Sequence, residues 1–448
     1  MGKRNKTRQS KLFDPKWGTA TIFVLRLIVG AVFIFSGFTK AIDPWGSIYK
    51  FDEYLAAFGF HGYDGLLTFM SFSLSAVEFA LGVFMLLGAY RRMTPILMSL
   101  MMIVMLPLTL YIAITDNVAD CGCYGDAITL SNWGTFWKNV ALATALAYLV
   151  MFNNRVKNIY GFAVQWIVAF LSFIYILLIA WDGYTYQPLI DFRPFPVGTI
   201  ISHDATDADD ESEEFLFVYE KDGSTREFTL DSLPDETWRF IERKPLPQSH
   251  TTNNAAEAGK AFHPITVFDT DHEVADGVIL SEGEQLLLLF PSLSDVVIPF
   301  TYQINETYEF CHNHGIDVIG LTSNGKKEID EWNDLSMAAY PIYVMDDSEL
   351  KMIARGNPAA VFLRNGEIVW KRAMQSIPID RLATTDNFDD VIGSASSPLY
   401  SLYALTAVYL AAMTILLIVN RTHTVVKFSL LQVKKNRKKQ VNLQSDKE

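Results

Sequence analysis

Six blocks of apolar sequence, each long enough to cross a bilayer, constrain this chain before any motif is read. A hydrocarbon core about 30 Å thick needs about 20 apolar residues at about 1.5 Å rise per residue. Blocks at about Thr19–Phe38, Leu66–Tyr90, Pro95–Ile114, Phe136–Phe152, Gly161–Trp181 and Leu399–Val419 meet that requirement. Half of the 448 residues are hydrophobic, and they are concentrated in these blocks. Pro107 inside the third block predicts a kink. The first block is too long for a signal peptide and lacks a small-residue cleavage site, so no removed leader is expected.

Charge orients the blocks. The net charge of −13 is unevenly spread, with basic ends, an acidic run at Asp204–Glu214 and a KKNRKK cluster beyond Arg421. Arg91 and Arg92 follow the second block, and Arg155 and Lys157 follow the fourth, whereas Thr115–Thr135 carries only acidic charge. Cytoplasmic loops are the ones enriched in Lys and Arg. Both tails, 1–17 and 421–448, are therefore expected in the cytoplasm, and residues 182–398 outside. The basic residues stand where membrane orientation requires them, which argues against a nucleic-acid partner and makes the lipid bilayer the first one.

The long outer segment divides in two. Phe215–Tyr219 and Arg226–Leu230, separated by Asp222-Gly223, read as a hairpin, and Pro245–Lys260 reads as a polar linker, so 182–263 is a hairpin region with its linker. From Pro264 to Leu382 strand and helix patterns alternate. Leu286–Phe290 is a continuous apolar run suited to a strand buried on both faces. A helix pattern over Phe300–His314, a strand at Ile316–Thr322, a helix at Lys326–Asn333 and a strand at Ile342–Val344 follow. Asn365-Gly366 then marks a hairpin, with Asn357-Pro358 just before it. This order resembles the thioredoxin fold, in which Pro358 would be the cis-proline. The Cys-x-x-Cys of that fold would fall at Pro291-Ser292-Leu293-Ser294, where there is no thiol. Cys311, within a helix pattern, reads as a buried apolar residue. The resemblance therefore implies a binding module rather than a domain that exchanges disulfides by itself.

Candidate chemistry lies in the membrane half. Cys121 and Cys123 flank one glycine in Asp120-Cys121-Gly122-Cys123-Tyr124-Gly125-Asp126. A bond between them closes a small ring far from the preferred geometry, which raises the reduction potential and suits a redox pair. A static disulfide, or two thiols pinning a loop, is the alternative. No other Cys or His lies nearby to complete a zinc site, and no metal is expected. Arg26 and Glu78 are charges within spans, where ionisable groups pair or face a cavity. They read either as a structural ion pair or as a polar pocket for a cofactor. Arg26 and Lys40 can also be read as snorkelling side chains, and Trp45, Trp133, Trp137 and Trp181 as an interfacial belt.

Three stretches resemble the DoxX/MauE group of four-span membrane proteins: Gly30–Lys40, Glu78-x-x-x-Gly82 leading to Leu86-Leu87-Gly88, and Cys121-Gly122-Cys123-Tyr124-Gly125. The resemblance covers 18–152, about a third of the chain, and leaves 153–181 as a fifth span, 383–398 as a linker and 399–420 as a sixth span. It implies an inner-membrane protein, with MauE tied to maturing a disulfide-rich periplasmic dehydrogenase and DoxX to sulfur-compound oxidation with quinone. The four-span unit is also similar to vitamin K epoxide reductases, which implies quinone as an electron acceptor. The chain lacks that group's Cys-x-x-Cys in the last span of the bundle. The expected architecture is thus a multi-pass α-helical membrane bundle of six spans with a periplasmic α/β thioredoxin-like domain. The expected partner beyond lipid is a periplasmic protein client. A non-catalytic scaffold in envelope assembly is the alternative function.

Overall fold

The computed structural model describes residues 15–57, 59, 64–115, 122–152, 159–202, 215–221, 224–228, 239–245, 262–270, 275, 277–382, 384–385, 388 and 398–445. The chain forms two compact units, Met1–Arg193 with Arg372–Glu448, and Pro194–Lys371.

In the first unit the apolar blocks become helices α1 (Pro15–Ile42), α3 (Asp64–Leu87), α4 (Met93–Thr115), α5 (Asn132–Phe152), α6 (Gln165–Thr185) and a C-terminal helix, Pro398–Ser445. Each contains a segment long and apolar enough to cross a membrane, and α4 continues through Pro107. A shorter helix, α2 (Pro44–Ala57), separates α1 from α3 and is absent from the sequence reading. Asp43 starts it, accepting the Gly46 N–H at 3.0 Å. Trp45 is not a free interfacial ring: its indole stacks on Tyr184 with centroids 4.9 Å apart and donates to the Tyr184 carbonyl.

Helices α1 and α3 touch backbone to backbone. A Cβ on Gly37 would stand 2.4 Å from the Phe79 nitrogen, and one on Gly82 would stand 2.6 Å from the Ile34 nitrogen. Small residues at such crossings let helices approach closely enough to gain dispersion contacts that lipid cannot match. The C-terminal helix docks on α6 through polar contacts, Ser172 with Tyr409 and Tyr175 with Thr406, and through stacking of Tyr175 on Tyr409 at 4.4 Å.

The second unit has a seven-stranded mixed sheet in the order β5 (Phe262–Pro264), β1 (Ile200–Ser202), β10 (Glu367–Ala373), β9 (Ala359–Arg364), β6 (Glu284–Phe290), β7 (Asp317–Thr322) and β8 (Ile342–Val344). The apolar run is its central strand β6 (Glu284–Phe290), in which Leu286–Phe290 are fully buried. It pairs in parallel with β7 (Asp317–Thr322), which pairs in parallel with β8 (Ile342–Val344). On its other side β6 pairs antiparallel with β9 (Ala359–Arg364). Helices α7 (Pro299–Asn313) and α8 (Lys326–Ser336) make the crossovers, and α9 (Asp347–Ile353) follows β8. The Asn357–Pro358 peptide is cis, and Asn365 and Gly366, at φ of 51° and 73°, make the two-residue turn into β10 (Glu367–Ala373). Positive φ at both central positions is what a type I′ hairpin turn requires. This is the strand order of a thioredoxin-like domain.

The unit starts earlier than the expected boundary at residue 264. Strands β1 (Ile200–Ser202) and β5 (Phe262–Pro264) extend the same sheet, with β1 antiparallel to β10. Their shortness explains why periodicity missed them. Between them lies a separate sheet in the order β3-β2-β4, in which the expected hairpin, β2 (Phe215–Lys221) and β3 (Ser224–Phe228), gains a third strand, β4 (Arg239–Pro245). The turn at Asp222-Gly223 and the expected linker from residue 246 onward lie outside the described residues.

Candidate functional site

The close approach at Gly37 and Gly82 sets one helical register, and that register assembles the site. Glu78 is one turn before Gly82, so its side chain leaves α3 toward α1. There it meets Lys40, whose Nζ is 2.7 Å from Glu78 Oε2. Both side chains are at most 6% exposed. The Lys40 ammonium also donates to Ser36 Oγ at 2.8 Å and to the Cys123 carbonyl at 2.9 Å, so all three of its protons are engaged. Ser36 Oγ lies 2.7 Å from both Glu78 Oε2 and the Cys123 carbonyl, and its single proton serves one of them at a time. An ion pair removed from water survives only when its remaining lone pairs and protons are met by further hydrogen bonds. Here the backbone of the cysteine loop supplies one of those bonds.

Arg26 is not part of this arrangement, and this corrects the reading of Arg26 and Glu78 as an ion pair or as one shared pocket. Its Nε donates to the Met85 carbonyl at 3.0 Å, and Nη2 lies 3.5 Å from that of Leu86. These are among the last carbonyls of α3, which have no partner within the helix. Arg26 caps them, its charge set against the negative end of the helix dipole. Lys40 likewise does not snorkel, because α1 continues past it to Ile42 and buries it against α3.

Cys121 lies outside the described residues. Cys123 is in a turn in which the Gly125 N–H donates to the Gly122 carbonyl, with φ of +59° at Gly122 and +56° at Gly125. Both glycines are in the left-handed region, where a side chain would be strained. Cys123 packs against Ile112 of α4, as do Leu108 of the same helix and Tyr54 of α2, and the stem of Lys50 lies close to Gly122. The loop is therefore held from below by a charged pair and flanked by α2. Neighbouring Tyr124 is buried, edge-on to Phe35 at 5.4 Å. Burial pushes its phenol above the ordinary range, with smaller contributions from Cys123 and Glu78. Lys138 of α5, which sequence reasoning passed over, places its Nζ 4.1 Å from the centre of the Tyr124 ring.

These groups line one cavity of about 30 Å³, shared by Glu78, Lys40, Cys123, Tyr124, Lys138 and Asn139, with Met101, Met102 and Met105 on its apolar side. Such a volume suits a water molecule, whereas a benzene-sized ring occupies a cavity of about 150 Å³. A quinone ring does not fit in it. Among the described residues no cluster of His, Cys, Asp and Glu could hold a metal ion.

In the second unit the four residues after β6 are Pro291, Ser292, Leu293 and Ser294, with the two serine hydroxyls 3.1 Å apart. The Leu293 N–H donates to Asn324 Oδ1 and Asn357 Nδ2 donates to the Ser292 carbonyl, so this loop lies beside the cis-proline turn. Cys311 is fully buried in α7, and burial, with a lesser push from Glu284, drives its thiol up to about 12.

Residues 18–152 match the family model described as methylamine utilisation protein MauE, and residues 213–246 match a domain of unknown function (DUF8463). No curated protein matches the chain. Solved structures similar to it include a thiol:disulfide interchange protein from Bacteroides sp., at 15% identity and a TM-score of 0.23, covering 30% of this chain and 88% of that one. Peroxiredoxin Q from Xanthomonas campestris is another, at 9% identity and a TM-score of 0.21, covering 28% and 92%.

Proposed function

We propose that this protein carries out thiol–disulfide exchange at the outer face of a cytoplasmic membrane, with Cys121 and Cys123 as the working pair. The observation that carries the reading is the Cys123 carbonyl held by the buried Lys40–Glu78 pair, because a redox loop needs a fixed backbone beneath a reactive sulfur. In the exchange a thiolate of a client protein attacks one sulfur of the Cys121–Cys123 disulfide and forms a mixed disulfide. The client's second thiol then displaces it. The client leaves oxidised, and the pair leaves as a dithiol carrying the two protons and two electrons given up by the client. The reverse direction uses the same steps, and relative reduction potentials decide between them. The match of residues 18–152 to the MauE model and the acidic, Lys- and Arg-free loop around the pair support this reading and its outward placement. The thioredoxin-like domain, outside with the loop, would bind the client.

Thiol trapping in intact cells tests the proposal. Alkylation before and after reduction should show the pair changing state with redox conditions, and a Cys121→Ser variant should accumulate a mixed disulfide through Cys123. A pair in one fixed state under oxidising and reducing conditions overturns it.

A second reading is a non-catalytic scaffold, favoured by the serines at 292 and 294 and the burial of Cys311, which leave the thioredoxin-like domain to bind without exchanging. Retention of function by Cys121→Ser/Cys123→Ser, together with its loss on deleting Pro194–Lys371, would select it.

A further inference from the structure

We infer that Lys138 is the thiolate-stabilising cation of the Cys123 site, a positioning residue that acts on the sulfur through its charge. The inference rests on the exchange proposed above, in which Cys123 reacts as a thiolate. Lys138 lies two turns into α5, a helix apolar enough to span the membrane, and is half-buried near the end that follows the cysteine loop. Among the described residues no carboxylate pairs with it, and the one contact that defines its position is the face of the Tyr124 ring at 4.1 Å. That ring belongs to the residue next to Cys123, and Lys138, Tyr124 and Cys123 line the same small cavity.

The charges facing Cys123 from each neighbouring element decide the sign of the effect. From α1 and α3 come Lys40 and Glu78, which neutralise one another as a pair. From α2 come Lys50, paired with Glu53, and the phenol of Tyr54. Leu108 and Ile112 of α4 bring no charge. In the loop itself Tyr124 stays neutral, and Asp126 is the described carboxylate, three residues beyond Cys123. Lys138 of α5 is therefore the cation of this cavity with no carboxylate paired to it among the described residues. A cation beside a cysteine lowers the thiol's pKa from its ordinary value of about 8.5 and raises the thiolate fraction at neutral pH. The aromatic face holds the ammonium at the loop when the sulfur is uncharged, and Lys138 and Cys123 line the same cavity.

The test uses full-length Cys121→Ser protein, reduced in detergent, so that Cys123 ionisation is read whether or not the pair cycles in cells. Iodoacetamide alkylation of Cys123 is followed by mass spectrometry over a pH series. The expected midpoint lies below the ordinary thiol value. Lys138→Met should raise it by about one unit, slowing alkylation about tenfold at neutral pH, and Lys138→Arg should restore the parent profile. Lys138→Gln, which keeps a polar chain, gives the same shift and replaces the methionine variant if that one does not fold. An unchanged midpoint in the neutral variants overturns the inference and leaves Lys138 as an anchor for the Tyr124 ring. Failure of in-cell trapping, with the pH shift intact, would overturn the exchange reading instead.

Discussion

Gly37 stands so close to Phe79 that a Cβ on the glycine would lie 2.4 Å from the phenylalanine's backbone nitrogen. No real Cβ contact is that short, and the obstructing atom is backbone that cannot swing aside. Gly37→Ala should therefore push α1 and α3 apart, lower thermal stability and open the Lys40–Glu78 pair. Gly65→Ala is the control, because a Cβ there meets nothing within 4 Å. Thermal unfolding in detergent checks both, with a loss expected only for the first.

Removing one member of the buried pair should cost more than removing both. Lys40→Met leaves the Glu78 carboxylate buried without its cation, and Glu78→Met leaves the ammonium. Each single change is expected to destabilise by about 3–5 kcal/mol, while the double variant recovers much of that. A double-mutant cycle on denaturation midpoints measures it, and additive losses would show that the two side chains do not act as a pair.

Arg26→Met should cost about 2 kcal/mol through loss of charged hydrogen bonds to the α3 carbonyls, without altering Cys123 chemistry. Its guanidinium contacts Met85 and Leu86 rather than the cavity. Comparing denaturation midpoint with Cys123 alkylation rate separates the two effects. A slowed alkylation would place Arg26 in the cysteine site after all.

Cys311 should resist alkylation in the folded protein at mildly alkaline pH and react once the chain is unfolded. Its folded-state pKa is pushed up to about 12, against about 8.5 for an unfolded thiol. Between those values the unfolded chain loses a proton that the folded one keeps, so this residue makes folding less favourable as pH rises through that window. Mass spectrometry of native and denatured samples at pH near 8.5 reads the outcome.

Asp346 caps α9, its carboxylate accepting from the Ser348 and Glu349 N–H groups. Hydrogen bonds, the largest from the Ser348 hydroxyl, hold its pKa below the usual carboxylate value. A depressed carboxylate stabilises the fold above its unfolded pKa and loses that contribution as pH falls toward the folded one. Asp346→Ala should cost about 1 kcal/mol at neutral pH, and the difference from the parent should shrink on acidification. Chemical denaturation at several pH values follows it.

Much of this molecule was legible because membranes and buried strands impose strict patterns. Six apolar blocks predicted six helices, the run Leu286–Phe290 predicted a central strand, and Asn365-Gly366 predicted the turn between β9 and β10. The strands β1 and β5 were not legible, since three residues carry too little periodicity to be seen. Helix α2 was hidden for a related reason: its sequence mixes aromatic, charged and small residues, and contacts from α3 and α6 hold it in place.

From the sequence alone it follows that Glu78 is a charge within a span, to be paired or set on a polar pocket, and that two cysteines one residue apart sit in a loop between spans. The sequence did not determine the partner. Arg26 and Lys40 are fourteen residues apart on α1, close to four whole turns, so both face α3 and either could have been chosen. The choice belongs to the tertiary structure. Backbone contact at Gly37 and Gly82 sets the antiparallel register of α1 on α3, which sends Arg26 to the end of α3 and Lys40 to Glu78. The same register places Lys40 and Ser36 beneath the Cys123 carbonyl, a contact across more than eighty residues of chain that no local pattern encodes.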